Sequence, residues 1–326
     1  MQNVLHFSVS LSRTRDGKKK NLLELIRKFK SVFHHNIDIT MTNQSDYKLT
    51  IISHNAKGLN TPVKWRMAYK NYLAHHADII VIQETHFKKG REPKFLHPHL
   101  TRCYYSSATN KTRGVAILIR ESCPLVVHTS HMDREGRILL LQAQLNDKPI
   151  TIVGIYAPNT KQSRFFSHLN NFVTNKKSGD LVVTTDFNNV LDVKLDCSSH
   201  RRDRGTGRAN RALIQFLKDE YLFDIWRNLN PKQKDFTFYS SPHKSYSRID
   251  LILISGTYLP YLYDSSIEPK TWSDHSPILG TLLIPQLQAS RGKWRLNESL
   301  LSDDTFCKDL YKQINYYFKE NCQTKQ

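Results

Sequence analysis

The chain has 326 residues, enough to bury a sizeable core in one large domain or two ordinary ones. Lys and Arg outnumber Asp and Glu 48 to 29, a formal charge of +19 that points to a polyanionic partner, nucleic acid or an acidic membrane face. Five cysteines without a CxxC pair argue against a disulfide framework and a structural zinc, and no apolar run nears the roughly 18 residues of a membrane span.

Residues 1–46 are polar and basic, with a cluster at Arg13, Arg15, Lys18, Lys19 and Lys20. They are expected to form a poorly ordered extension, a solvated tail in the first place, or else a nuclear signal or an arm on nucleic acid. Met1–Phe7 lacks a basic segment followed by an apolar run, so the expectation is an intracellular chain, nuclear or cytoplasmic, that is not secreted and has no membrane partner.

The compact pattern begins near Tyr47. Lys48–Ser53 predicts a strand, and Thr61-Pro62 predicts a helix start with Thr as N-cap and Pro in the first turn. Ile79–Gln83 and Val115–Ile119 read as buried strands, and Leu139–Leu145 as a half-exposed one. Asn146-Asp-Lys148 turns it into Ile150–Tyr156, an antiparallel hairpin. A helix over about 164–174 turns Phe165, Leu169, Phe172 and Val173 inward, and Leu181–Val183 is the next buried strand. Another helix covers about 208–220, followed by short strands at 236–239, 248–254 and 279–284. Two mixed sheets packed face to face with helices outside, a four-layer α/β sandwich (αββα), account for this mixture over 47–285. Residues 286–326 read as a basic linker and an amphipathic helix with Phe306, Leu310, Ile314 and Phe318 in one stripe.

The informative residues are polar ones standing where apolar strands end. Asn55 follows Ile51-Ile52, Glu84 follows Ile79–Ile82, Tyr156 follows Ile152–Ile155 and Asp186 follows Leu181–Val183. Asp250 precedes Leu251–Ile254, and Ser273-Asp-His275 precedes Ile278-Leu279. Sites in layered folds collect at such strand ends. Asp186 and Asn188 stand two apart, so an extended backbone would send both to one face. A carboxylate beside an amide suits phosphoryl chemistry, although D-F-N-N would equally suit an Asx turn.

With these residues in place, the sequence resembles the endonuclease/exonuclease/phosphatase family, and within it the endonuclease domain of LINE-type retrotransposon polyproteins. The matching pieces are His54–Asn60, Ile82-Gln-Glu-Thr-His86, Gly114–Leu118, Ile155-Tyr-Ala-Pro-Asn159, Asp186-Phe-Asn188, Tyr246-Ser-Arg-Ile-Asp250 and Ser273-Asp-His-Ser276, in the family's order. The resemblance implies a Mg²⁺-dependent (or Mn²⁺-dependent) phosphodiesterase nicking one strand of duplex DNA, A+T-rich by preference. It assigns catalysis to Tyr156, Asp186, Asn188, Asp250 and His275, and metal binding to Asn55, Glu84, Asp186, Asn188, Asp274 and His275. It leaves open whether Asp186 or His275 removes the proton. DNA contacts are expected from Lys57, Arg204, Thr237, Ser240, His243, Lys244 and Ser273, the hairpin at Tyr239–Tyr246 entering the duplex. Residues 294–303 look like the connector that leads to a reverse transcriptase in such polyproteins. Two positions depart from the family: Thr185 replaces a common Gly and is expected to crowd the pocket floor, and Lys57 replaces Asp or Asn, either repelling the ion or holding a phosphate. The competing readings are a repair nuclease of apurinic-site or exonuclease III type, a DNA-binding remnant without catalysis, and a headgroup phosphatase.

Overall fold

Each apolar run read above takes a place in one of two sheets. The computed structural model describes residues 46–93, 99–199 and 208–285, with 304, 305, 308, 309, 311 and 312 besides. In chain order these give β1 (Tyr47–Asn55), α1 (Pro62–Ala74), β2 (Ile79–Gln83), β3 (Arg102–Ser106), β4 (Val115–Ile119), β5 (Leu125–Met132), β6 (Ile138–Leu145) and β7 (Lys148–Tyr156). There follow α2 (Gln162–Lys176), β8 (Asp180–Asp186), α3 (Arg208–Asp219), β9 (Leu222–Asp224), α4 (Ile225–Leu229), β10 (Phe238–Ser240), β11 (Ser245–Ser247), β12 (Asp250–Ser255), β13 (Leu262–Ile267) and β14 (Ile278–Ile284). One sheet runs β13-β14-β1-β2-β4-β3, the other β5-β6-β7-β8-β12-β9, and β10-β11 is a separate hairpin. Ser45–Leu287 form one compact unit. Residues 1–45 and the stripe Phe306, Leu310, Ile314 and Phe318 lie outside the described residues.

Strand alternation sorts the side chains into three buried layers. Ile51, Val81 and Ile117 of the first sheet meet Leu141, Ile152, Val182 and Ile252 of the second in a central core. Ile52, Ile80, Ile82 and Leu118 point the other way, against Ala68 and Tyr72 of α1. Val153, Leu181, Val183 and Leu253 pack outward against Phe166 and Leu169 of α2 and Leu213 and Phe216 of α3. This is the four-layer αββα sandwich. Among the described residues no helix is long and apolar enough to cross a membrane.

The register decides where the site falls. β1 and β2 run parallel with Asn55 opposite Gln83, and β7 and β8 run parallel with Tyr156 opposite Asp186. β12 is antiparallel to β8 with Asp250 opposite Asp186, and β14 is antiparallel to β1 with Ile278 opposite Ser53. The C-terminal ends of four strands and the N-terminal ends of two therefore bring every polar strand-end residue to the same edge of its sheet.

Several expectations need correction. Leu139–Leu141 are buried on both faces, because β6 is covered by the first sheet on one side and by helices on the other. In α2 the fully buried aromatic is Phe166, with Phe165 and Phe172 only half-buried, since the helix begins at Gln162. β3, β5, β9 and β13 were not legible; β5 is a polar edge strand whose exposed positions break the alternation. Thr185 shares its face with Leu181 and Val183 and stands opposite Leu251, so it points at the helix layer and not into the pocket floor. Its hydroxyl is buried there with no hydrogen-bond partner.

The sheets approach closely at Gly154, where an added Cβ would stand 2.7 Å from Val115 Cγ1 and 2.8 Å from Val81 Cγ1 of the facing sheet. Gly154→Ala should therefore cost about 1–3 kcal/mol through overpacking, although it would raise β propensity. Urea unfolding checks this, and an unchanged or raised midpoint would mean the sheets are not in contact there.

Candidate active site

Asn55, the last residue of β1, is fully buried and reaches across the gap between the sheets. Its Nδ2 donates to Glu84 Oε1 at 3.0 Å and to Asp186 Oδ2 at 2.8 Å. Its Oδ1 accepts the Lys57 N–H at 2.9 Å, an Asx turn that closes the strand. Glu84 leaves β2 with φ of 49°, and His86, at 58°, brings Nε2 to 3.2 Å from Glu84 Oε2. Non-glycine residues in this left-handed region are strained and concentrate at functional sites. Gly114 (φ 102°) lets the β4 turn lie flush on this loop, since a Cβ there would fall 2.2 Å from Thr85 Oγ1. The Tyr156 hydroxyl hydrogen-bonds the Glu84 carboxylate, and Arg137 stacks over its ring at 5.1 Å while donating to its carbonyl at 3.2 Å.

Asp186 ends β8. The backbone does not stay extended beyond it: Asn188 has φ of 48° and its N–H donates to Asp186 Oδ1 at 2.8 Å. The expected shared face is thus replaced by the Asx turn, which still keeps the two residues together. Asn188 Nδ2 donates to Ala157 O at 2.9 Å. Across the strand pair, Asp250 Oδ2 lies 2.8 Å from His275 Nδ1, and ligand atoms of Asp186, Asp250 and His275 all fall within 4.8 Å of one another. Asp250 Oδ1 is buried without a hydrogen-bond partner.

Charge and burial oppose each other here. Burial would raise Glu84, but hydrogen bonds from His86, Asn55 and Tyr156 hold it at about 2. Burial and the Asp250 charge push Asp186 up to about 7, against the pull of His275 and its hydrogen bonds. Burial would lower His275, but the Asp250 charge and hydrogen bond, with Asp186 and Asp274, bring it up to about 9. His54, fully buried with Nε2 3.3 Å from the His275 carbonyl, is driven down to about 3 by desolvation.

The expected DNA contacts divide. Ser240, half-buried, and His243 and Lys244, both exposed, sit on the β10-β11 hairpin, while Arg204 lies outside the described residues. Thr237 is buried; its hydroxyl accepts the N–H groups of Ile249 (3.1 Å) and Asp250 (3.3 Å), so it supports the Asp250 strand and is no surface contact. Ser273 donates to Asn55 O at 2.7 Å. Lys57 pairs with Asp274 Oδ2 at 2.6 Å, and the carboxylate–histidine group with ligand atoms close together comprises Asp186, Asp250 and His275. Sequence reasoning missed His86, Arg137 and Phe238, whose ring lies 4.6 Å from that of His275. His86 stands in the quoted Q-E-T-H run, so a signal existed; Phe238 and Arg137 carry none that separates them from ordinary strand residues. Buried Arg248 was also missed: it joins Asp196 (2.8 Å) and Asp224 (2.7 Å), tying the hairpin base to the second sheet.

A family model described as endonuclease-reverse transcriptase matches residues 150–279. The chain is similar to the Transposon TX1 uncharacterized 149 kDa protein of Xenopus laevis, 26% identical over 267 residues that cover 80% of this chain and 20% of that protein. In these matches the chain is similar to proteins of the endonuclease/exonuclease/phosphatase family. The transposon match is the one that resembles the LINE-type setting, and the chain spans only about a fifth (20%) of that relative's length. An exodeoxyribonuclease of Bacillus subtilis (strain 168) is 22% identical over 254 residues, 71% of this chain and 98% of that protein. The fold matches that of a 3′ phosphatase from Neisseria bound to product DNA hairpin, with a TM-score of 0.60 at 22% identity over 72% of this chain and 99% of that one.

The His275–Asp250 contact sets a pH signature in the absence of divalent ions. His275 in the fold lies near 9 against its ordinary 6.5, so the stability it contributes is fully present below pH 6.5 and lost as the pH rises through about 9. His54 titrates below that window and does not offset the fall. In EDTA, the melting temperature of the wild type should drop between pH 6.5 and 9.5, and His275→Gln should flatten the drop. A wild-type profile that is flat or rising would mean the pair is not an ion pair in the fold.

Proposed function

We propose that the chain is a divalent-metal-dependent phosphodiesterase, a DNA endonuclease that nicks one strand of duplex DNA. In the LINE-type setting the nick leaves a 3′-hydroxyl that primes reverse transcription, at an A+T-rich target. The observation that carries this reading is the Asn55 amide, which holds a carboxylate from each sheet, Glu84 and Asp186, beside the Asp250–His275 pair. DNA as substrate is supported by the net charge of +19, by the product DNA hairpin bound to the Neisseria relative, and by the naming of the Bacillus relative as an exodeoxyribonuclease.

The donor set fits a hard divalent cation such as Mg²⁺ or Mn²⁺, being rich in carboxylate oxygens and leaving buried Asp250 Oδ1 without a partner. Glu84 and Asp186 would hold it, with Asp250 and His275 adjacent; Asn55 acts by aligning the two carboxylates. Bound there, the ion would supply Lewis-acid stabilisation of charge on a phosphate oxygen. The chain's own residues do the rest. Asp250 occupies His275 Nδ1 and leaves Nε2 for a phosphate oxygen, and burial beside Asp250 makes Asp186 the better proton acceptor for an attacking water. Tyr156, braced by Arg137, and the Asn188 turn flank the same phosphate. His243 and Lys244 on the hairpin, with Lys232 and Lys234, follow the DNA backbone through salt-sensitive contacts.

A second reading, a repair nuclease of apurinic-site or exonuclease III type, is favoured by the match over 98% of the Bacillus exodeoxyribonuclease. Relative rates on abasic and intact A+T-rich duplex separate the two. The reading as a remnant without catalysis loses its main support, because Thr185 faces the helices.

Nicking of supercoiled plasmid should require a divalent ion and stop in EDTA. Asp186→Ala and His275→Ala should each lower the nicking rate by about 10³-fold or more while duplex affinity changes by less than about threefold. Nicking that survives both substitutions, or persists in EDTA, would place the chemistry elsewhere.

A further inference from the structure

The turn that carries Asp186 and Asn188 is gripped from outside the site by one side chain. Gln162 is the first residue of α2, preceded by Lys161 in a left-handed conformation (φ 55°) that offers the helix no side-chain cap. Its amide nitrogen donates to two successive carbonyls, Phe187 O at 3.1 Å and Asn188 O at 3.0 Å. Each N–H of a primary amide can serve one carbonyl, so a single Gln holds both peptide units of the turn in one orientation. The helix behind it is fixed to the second sheet by Phe166, Leu169 and Val173, all fully buried.

We infer that Gln162 is a positioning residue for catalysis, setting the Asp186 carboxylate through the Phe187–Asn188 turn. The route is a relay of three contacts: the Gln162 amide fixes the Asn188 peptide, the Asn188 N–H fixes Asp186 Oδ1, and Asp186 Oδ2 then meets the Asn55 amide. Without Gln162, a left-handed Asn at φ 48° relaxes toward ordinary backbone angles and its N–H leaves the carboxylate. The Asn188 side chain, which donates to Ala157 O, turns with it. Gln162 touches neither the carboxylate nor substrate; it acts only through the turn. This role rests on the nuclease reading for its kinetic consequence but not for its structural one.

The two are tested separately. In Gln162→Ala, the Asn188 amide should exchange with solvent at least about 10-fold faster than in wild type, while amides of Val182–Thr184 in β8 keep their protection. This holds whether or not the chain cuts DNA, and unchanged Asn188 exchange overturns the relay. If wild type nicks plasmid, Gln162→Ala should lower kcat about 10-fold with KM within twofold and the melting temperature within a few degrees. Gln162→Glu matches the side chain in shape but cannot donate once ionised, so its activity relative to wild type should recover as pH falls into the carboxylate range. A KM-only effect, or a Glu variant whose relative activity ignores pH, overturns the positioning role; absence of nicking in wild type overturns the nuclease reading alone.

Discussion

One amide joins the halves of this molecule at the point where chemistry is proposed. Asn55 belongs to the first sheet and donates to a carboxylate of each sheet. A neutral donor suits that position, because a cation would quench both acids and an acceptor would repel them. Its placement requires parallel β1 and β2 to end together and β7 and β8 to end opposite them across the core. The inter-sheet packing around Gly154 therefore has a consequence beyond stability: it sets the distance across which Asn55 must reach. A core substitution that spreads the sheets would separate Glu84 from Asp186 without touching either.

Support for the site comes in layers. Asp250 is held by the Thr237 hydroxyl through its backbone and faces His275 through its side chain. His275 is held by Ser273 through its N–H, by His54 through its carbonyl and by Phe238 against its ring. Phe238 opens the β10-β11 hairpin, so the proposed DNA-reading element and the histidine share a contact. The Arg248 pair with Asp196 and Asp224 fixes the base of that hairpin from below. A buried ion pair of this kind is weak evidence for net stability, but leaving one partner alone is costly, which makes the hairpin's seat specific.

Much of the fold was legible because its central strands are apolar on both faces and end abruptly in polar residues. Ile79–Gln83 followed by Glu84, and Leu181–Val183 leading to Asp186, give both the strand and the position of the acid. Edge strands were lost because packing on one side only leaves a mixed pattern: β13 reads Leu-Tyr-Asp-Ser-Ser-Ile, with little to distinguish it from a loop. Face assignments failed where they depended on the register of one residue. Thr185 adjoins the catalytic candidate in sequence, yet alternation turns it toward the helices. Thr237 reads as an exposed hairpin residue but is consumed by backbone donors that no sequence pattern reveals. The left-handed turn at Asn188 was readable as an alternative, since Asn tolerates that conformation, but the choice between turn and extension belongs to Gln162, 26 positions away.

The charge balance of the pocket explains why these supports are needed. Glu84, Asp186 and Asp250 bring three carboxylates to one buried edge, against the single imidazole of His275 on the Asp side and that of His86 beside Glu84. Water cannot screen them there, so their mutual repulsion has to be met by placed donors or by protonation. The chain uses both: donors hold Glu84 ionised, whereas Asp186, nearer to Asp250, is pushed up to about 7. An edge that keeps one acid firmly ionised and another poised near neutrality is under-compensated by its own residues. An incoming divalent cation would relieve that imbalance, and its binding would favour the ionised form of Asp186. The Lys57–Asp274 pair lies at the rim, where each charge is largely answered by the other, although Asp274 still helps to raise His275. Lys57 is thus a cation tied down by its neighbour, and it leaves the inner carboxylates to the donors already named.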